Sequence, residues 1–107
     1  MSNVPAVTDA TFVEEVVMAD KPTVVDYWAD WCAPCRQLSP IIDELAKEYG
    51  DKVNFVKMDT NTNTQIPMEQ GIMALPTLQV FSGGRVVKQL QGARSKAALV
   101  KALSEFI

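Results

Sequence analysis

With two cysteines and no histidine in 107 residues, the covalent chemistry open to this chain is narrow. The missing histidine excludes Ser–His–Asp and Cys–His catalysis, and two thiolates cannot complete a four-ligand structural zinc site. No metal is expected. Cys32 and Cys35 stand three apart in Ala29-Asp-Trp-Cys-Ala-Pro-Cys-Arg36. On a helix that spacing puts both on one face, close enough to form a disulfide. A cysteine at a helix N-terminus meets unpaired backbone N–H groups and the positive end of the helix dipole, which stabilise an anion. Cys32 in that place would ionise below the free-cysteine pKa of about 8.5. Cys35, one turn in, is expected to be more buried and less ionised. Roles follow from this asymmetry. Cys32 attacks a target disulfide as the nucleophile, and Cys35 resolves the mixed disulfide. Pro34 suits a first helical turn, where its missing N–H would have no intrahelical partner. The bland alternative is a pair of structural thiols that happen to be three apart.

The elements that must position this pair lie on either side of it. Thr23-Val-Val-Asp-Tyr-Trp-Ala29 reads as a buried strand. It is apolar apart from Asp26 and lacks polar alternation, as a parallel strand covered on both faces does. Burying an ionised carboxylate among Val24, Val25, Tyr27 and Trp28 is costly, so the pKa of Asp26 is expected to rise toward neutrality. A carboxylate paired with a lysine for stability is the alternative. After the cysteines, Leu38, Ile41, Ile42, Leu45, Ala46 and Tyr49 follow helical spacing, with Gly50 to close the helix. Pro40 inside that helix is predicted to kink it.

Further out, Val4–Val7 with Pro5 suits an edge strand. Thr8–Ala19 reads as a helix with Phe12, Val13, Val16 and Val17 on one face, starting at Thr11 or at the Thr8–Asp9 pair. Thr11 and Glu14 have capping-box spacing. Val53–Met58 alternates like a strand, and Asp59–Gln70 is polar, with at most a short helix near Pro67. Thr77–Phe81 and Val86–Leu90 flank Ser82-Gly-Gly-Arg85, a hairpin signal. Ser95 could cap a last helix carrying Leu99, Val100, Leu103 and Phe106. The order predicts a single α/β domain over residues 1–107, with its first strands parallel and its last two antiparallel.

The net charge of −3 offers no basic surface for a nucleic-acid backbone. No apolar run approaches the length of a membrane span. The first residues have neither a positive n-region nor an apolar h-region, which reads as a cytoplasmic protein. No nucleotide-binding glycine motif is present, so no bound cofactor is expected.

Val25-Asp-Tyr-Trp-Ala-Asp-Trp-Cys-Ala-Pro-Cys-Arg36 closely resembles the active-site strand and helix of the thioredoxin family. The likeness continues through Lys57, Ala74-Leu-Pro-Thr77, Gly83-Gly84 and Gly92. It implies the thioredoxin fold, a central five-stranded mixed sheet flanked by helices on both faces. It also implies a protein-disulfide reductase, re-reduced by a thioredoxin reductase at the expense of NADPH, acting as a monomer on oxidised client proteins. Residue by residue, it implies that Asp26 assists proton transfer at Cys35, that Lys57 supports Asp26, and that Pro76 is a cis-proline beside the disulfide. Trp31, Ala33, Pro34, Leu75, Pro76, Gly92 and Ala93 would then form the substrate-binding surface, with Trp28 as packing. Gly84 and Gly92 have an equal reading as turn and bulge residues. The chain departs from the family pattern at Ala33, where glycine is usual, at Met73 and Ala74, and across Thr60–Gln70. An oxidase or isomerase of the same fold and a non-catalytic binding subunit or chaperone are the alternatives. A different central CxxC pair and an oxidising compartment would mark the first; retained activity without the cysteines would mark the second.

Overall fold

Thr23–Trp28 forms β1, and its first five residues are buried because both faces of the strand are covered. The computed structural model describes residues 4–107; the first three residues of the expected domain lie outside them. Alternate residues of β1 feed two cores. Val24 packs with Leu38, Ile42, Leu45, Leu99 and Leu103 on one side, and Val25 and Tyr27 pack with Phe12, Val16, Ile66 and Phe81 on the other.

The other strands are β2 (Asn54–Asp59), β3 (Thr77–Ser82) and β4 (Arg85–Gln91). Their order is β2-β1-β3-β4, with β1 parallel to β2 and antiparallel to β3, and β3 antiparallel to β4. Parallel pairing comes first and the antiparallel hairpin last, as the sequence predicted. Gly83 and Gly84 close that hairpin at φ +61° and +82°, where a side chain would be strained. The helices are α1 (Ala33–Tyr49), α2 (Gln65–Glu69) and α3 (Lys96–Ala102). Helices α1 and α3 cover one face, and α2 covers the other together with the segment before β1. Ser95 caps α3 by accepting from the Ala98 N–H at 3.1 Å, and α1 runs through Pro40 to Tyr49.

Three expectations are corrected. The sheet has four strands among the described residues instead of five. Val4–Val7 contributes one parallel bridge, Ala6 to Lys57, through the Lys57 N–H to the Pro5 carbonyl and the Val7 N–H to the Lys57 carbonyl. Pairing stops there because Thr8 turns the chain away. Its N–H donates to Thr11 Oγ1 at 2.9 Å while the Thr11 N–H donates to Thr8 Oγ1 at 3.2 Å. This reciprocal pair takes the place of the expected Thr11–Glu14 box. The segment that follows is not an α-helix but a π-helical turn, Val13–Val17, with the Met18 N–H bonded to the Val13 carbonyl five residues back. Phe12 and Val16 carry its buried contacts, and Val13 stays exposed.

Candidate functional site

Strand β1 ends one turn short of α1, and the loop between them delivers Cys32 to the helix N-cap. Cys32 and Cys35 are joined as a disulfide, with Cα atoms 5.3 Å apart. Cys32 Sγ accepts a hydrogen bond from the Cys35 N–H at 3.2 Å, so the sulfur occupies the place of a capping oxygen. Pro34 sits in the first turn without loss, as its spacing implied. One expectation fails in this oxidised state. The two cysteines are equally buried, each 4% exposed, because the bonded sulfurs cover one another. Their asymmetry is positional. Cys32 borders the exposed Trp31, Ala33 and Pro34, whereas Cys35 faces inward onto a cavity.

That cavity, of about 120 Å³, lies between β1, β2 and α1 and is lined by Asp26, Trp28, Cys35, Ser39 and Lys57, among others. Asp26 enters it from β1, directly across from Lys57 on β2. Asp26 is buried, and its Oδ1 has no hydrogen-bond partner among the described residues. Burial pushes its pKa from 3.8 up to about 7; Lys57 opposes that rise and Asp43 adds to it. Lys57 also lies 5.8 Å from the centre of the Trp28 ring, and Trp28 packs against the Ala29–Cys32–Cys35 cluster.

On the other side of the disulfide, the Leu75–Pro76 peptide is cis. Pro76 is buried, and Leu75 packs on the same cysteine cluster. Gly92, at φ +85°, donates its N–H to the Pro76 carbonyl at 2.8 Å, so its place is that of a turn residue beside the site. Ala93 follows it, exposed. Trp31 is 70% exposed. Of the residues singled out in the sequence, Asp26 and Lys57 line the cavity onto which Cys35 faces, Leu75 packs on the cysteine cluster next to the cis Pro76, and Gly92 bonds to Pro76, whereas Gly84 lies apart in the β3–β4 turn against Val17.

Sequence reasoning missed Asn61, which accepts from the Trp31 indole N–H and donates to Asp30. It also missed Pro67 and Ile72, which with Trp31, Met73 and Leu75 line a cleft beside the disulfide. No local pattern marks a polar asparagine thirty residues from its partner in a Thr/Asn-rich stretch. Among the described residues, no group of three or more His, Cys, Asp or Glu gathers as a metal site.

The arrangement suits thiol–disulfide exchange: a reversible disulfide at a helix N-terminus, a buried acid poised near neutrality behind it, and a cis-proline opposite. The family profile described as Thioredoxin matches residues 3–105. Thioredoxin 1 of Nostoc sp. is 42% identical over the full length of both chains. Thioredoxin of Pyropia yezoensis is 43% identical over 98% of each. The bifunctional thioredoxin reductase/thioredoxin of Mycobacterium leprae is 40% identical over 94% of this chain and 22% of its own length. The chain belongs to the thioredoxin family, and is a thiol–disulfide oxidoreductase that reduces protein disulfides with Cys32 and Cys35.

Proposed function

We propose that this chain, acting as one domain and a monomer in a reducing cytoplasm, cycles electrons from NADPH to client proteins through a thioredoxin reductase. The observation that carries the mechanism is Cys32 at the N-cap of α1 with Cys35 facing the Asp26 cavity. In the reduced protein, the helix N-terminus and the Cys35 N–H favour the Cys32 thiolate. That thiolate attacks one sulfur of a client disulfide. The Cys32–client bond forms, the client S–S bond breaks, and the second client sulfur leaves as a thiolate. Asp26, reached through the cavity, takes the proton from Cys35. The Cys35 thiolate then attacks Cys32 Sγ, the Cys32–client bond breaks, the first client sulfur leaves as a thiolate, and the Cys32–Cys35 disulfide described above is formed. Two electrons have passed to the client. Lys57 tempers the pKa of Asp26 from across the strand pair.

Clients are received by Trp31, Ala33 and Pro34 on one side and by Leu75, Pro76, Gly92 and Ala93 on the other. Regeneration by a reductase is supported by the M. leprae relative, whose name joins a thioredoxin reductase and a thioredoxin in one chain. NADPH acts through that partner, and no cofactor resides in this chain. The test is NADPH-coupled reduction of insulin disulfides with a thioredoxin reductase present. Turnover well above the reductase-only control is expected, and turnover equal to that control refutes the proposal.

A further inference from the structure

Two buried polar atoms of β1, Asp26 Oδ1 and Trp28 Nε1, have no hydrogen-bond partner among the described residues, and both side chains line the cavity behind Cys35. Unpaired buried polar atoms are costly, and a polar site with room recruits water to satisfy them. At about 120 Å³ the cavity far exceeds the roughly 10–15 Å³ that one water needs. Its lining offers such a water polar groups from Asp26, Trp28, Lys57 and Ser39.

Ser39 differs from the others in the kind of group it offers. The Trp28 indole and the Lys57 ammonium can only donate. Asp26 changes its part during exchange, because a carboxylate only accepts and the carboxyl it becomes donates one O–H. Cys35 changes too, from a donating thiol to an accepting thiolate. A water joining these two must reverse its own hydrogen bonds in every cycle. A hydroxyl both donates and accepts, and its hydrogen rotates to suit, so Ser39 can hold that water in either state. Ser39 follows Cys35 by four residues on α1, which puts it on the same helix face one turn on. Helical side chains lean toward the N-terminus, here toward Cys35. Around Asp26, Lys57 faces it from β2, Arg36 and Asp43 stand on α1, and Leu78, its register partner on β3, carries no charge. Arg36 donates to the Asp30 carbonyl at 2.7 Å. None of these charged groups is a neutral donor and acceptor at once.

We propose that Ser39 is a positioning residue for the proton step, its hydroxyl holding a water between Cys35 and Asp26. The Cys35 thiol gives its proton to this water as the water gives one of its own to an Asp26 carboxylate oxygen. The water is regenerated, Cys35 is left as the thiolate and Asp26 as the neutral acid. The inference deepens the proposed function and rests on its reading that Asp26 takes the Cys35 proton.

The experiment follows single-turnover release of a disulfide peptide from the Cys32 mixed disulfide by stopped flow across pH. In Ser39→Ala, release near neutral pH is expected to slow about three- to tenfold. The inflection set by Asp26 should move to higher pH, because a carboxylate that loses a hydrogen-bonded water is disfavoured against its neutral form. Ser39→Thr keeps the hydroxyl and should stay within about twofold of the parent in rate, with its inflection in place. In an Asp26→Asn background, Ser39→Ala should add less than about twofold, since Ser39 acts through Asp26. A rate and inflection in Ser39→Ala equal to the parent's, a slowing that Ser39→Thr shares, or a slowing that persists in full without Asp26 overturns the proposal. Asp26→Asn separates the two levels. If it leaves rate and inflection unchanged, the reading of Asp26 itself falls. If it removes the inflection while Ser39→Ala changes nothing, only the role of Ser39 falls.

Discussion

Asp26 on β1 faces Lys57 on β2 in the parallel register, yet the lysine does not hold the acid ionised: burial prevails and the Asp26 pKa stands near 7. Desolvation acts on the whole carboxylate, whereas Lys57 is half-buried and also engaged with the Trp28 ring. The folded state therefore holds a proton that the unfolded chain has already released at the same pH.

Stability should consequently fall as pH rises from about 4 to about 7, since the folded state binds more protons than the unfolded state across that window. Asp26→Asn removes the penalty. At pH 8 the variant should be more stable than the parent by roughly 3–5 kcal/mol. Below pH 4, where the carboxyl is neutral in both states, the gain should vanish. Urea unfolding at the two pH values measures this. A gain that persists undiminished at low pH would show that the buried charge is not its source.

The same residue sets the resolving step. In Asp26→Asn, release of client from the Cys32 mixed disulfide should slow by about ten- to a hundredfold near neutral pH. The inflection near pH 7 should disappear from its rate profile. Stopped-flow measurement of single-turnover release across pH reads both effects, and an unchanged inflection would assign it to another group.

Trapping distinguishes the two cysteines. Cys35→Ser should accumulate client on Cys32, visible as a reducible adduct on a non-reducing gel, because the second attack has lost its nucleophile. Cys32→Ser should accumulate little. The reverse pattern would invert the assigned roles.

Tyr27 buries its ring in the core beneath β1 and donates its hydroxyl to Gln79 Oε1 at 2.8 Å; Gln79 Nε2 then donates to Gln89 Oε1 at 3.0 Å. Burial also holds the phenol well above its ordinary pKa. Tyr27→Phe leaves a buried acceptor without its partner and should cost about 1–2 kcal/mol in chemical denaturation, with little change in disulfide exchange. No loss of stability would mean that water replaces the hydroxyl at no cost.

Asp9 caps α2 from a distant segment, its carboxylate accepting from the N–H groups of Gln65 and Ile66 at 3.2 and 2.9 Å. Asp9→Ala should cost about 1 kcal/mol, as loss of a helix cap does. Earlier hydrogen exchange should appear across residues 65–70, and protection equal to the parent's would refute the cap.

The sequence by itself determined the chemistry and most of the frame. Two cysteines without histidine, set between an apolar strand and an amphipathic helix, leave thiol–disulfide exchange as the fitting reaction. The lone carboxylate in that strand already announced a raised pKa. These features were legible because they rest on local periodicity and composition. The tertiary structure decided what depends on pairing across distance. Whether Val4–Val7 is a strand turned on how far it follows Lys57 before Thr8 caps the next turn. The π-helical winding after Thr11 has no counterpart in an apolar pattern that suits an α-helix equally well. The equal burial of Cys32 and Cys35 depends on their bonded state, and the Asp26–Lys57 balance depends on how much water each group keeps. Asn61 joined Trp31 and Asp30 only once the loop after β2 came alongside the loop after β1. A hydrogen bond between segments thirty residues apart leaves no periodic trace in either one.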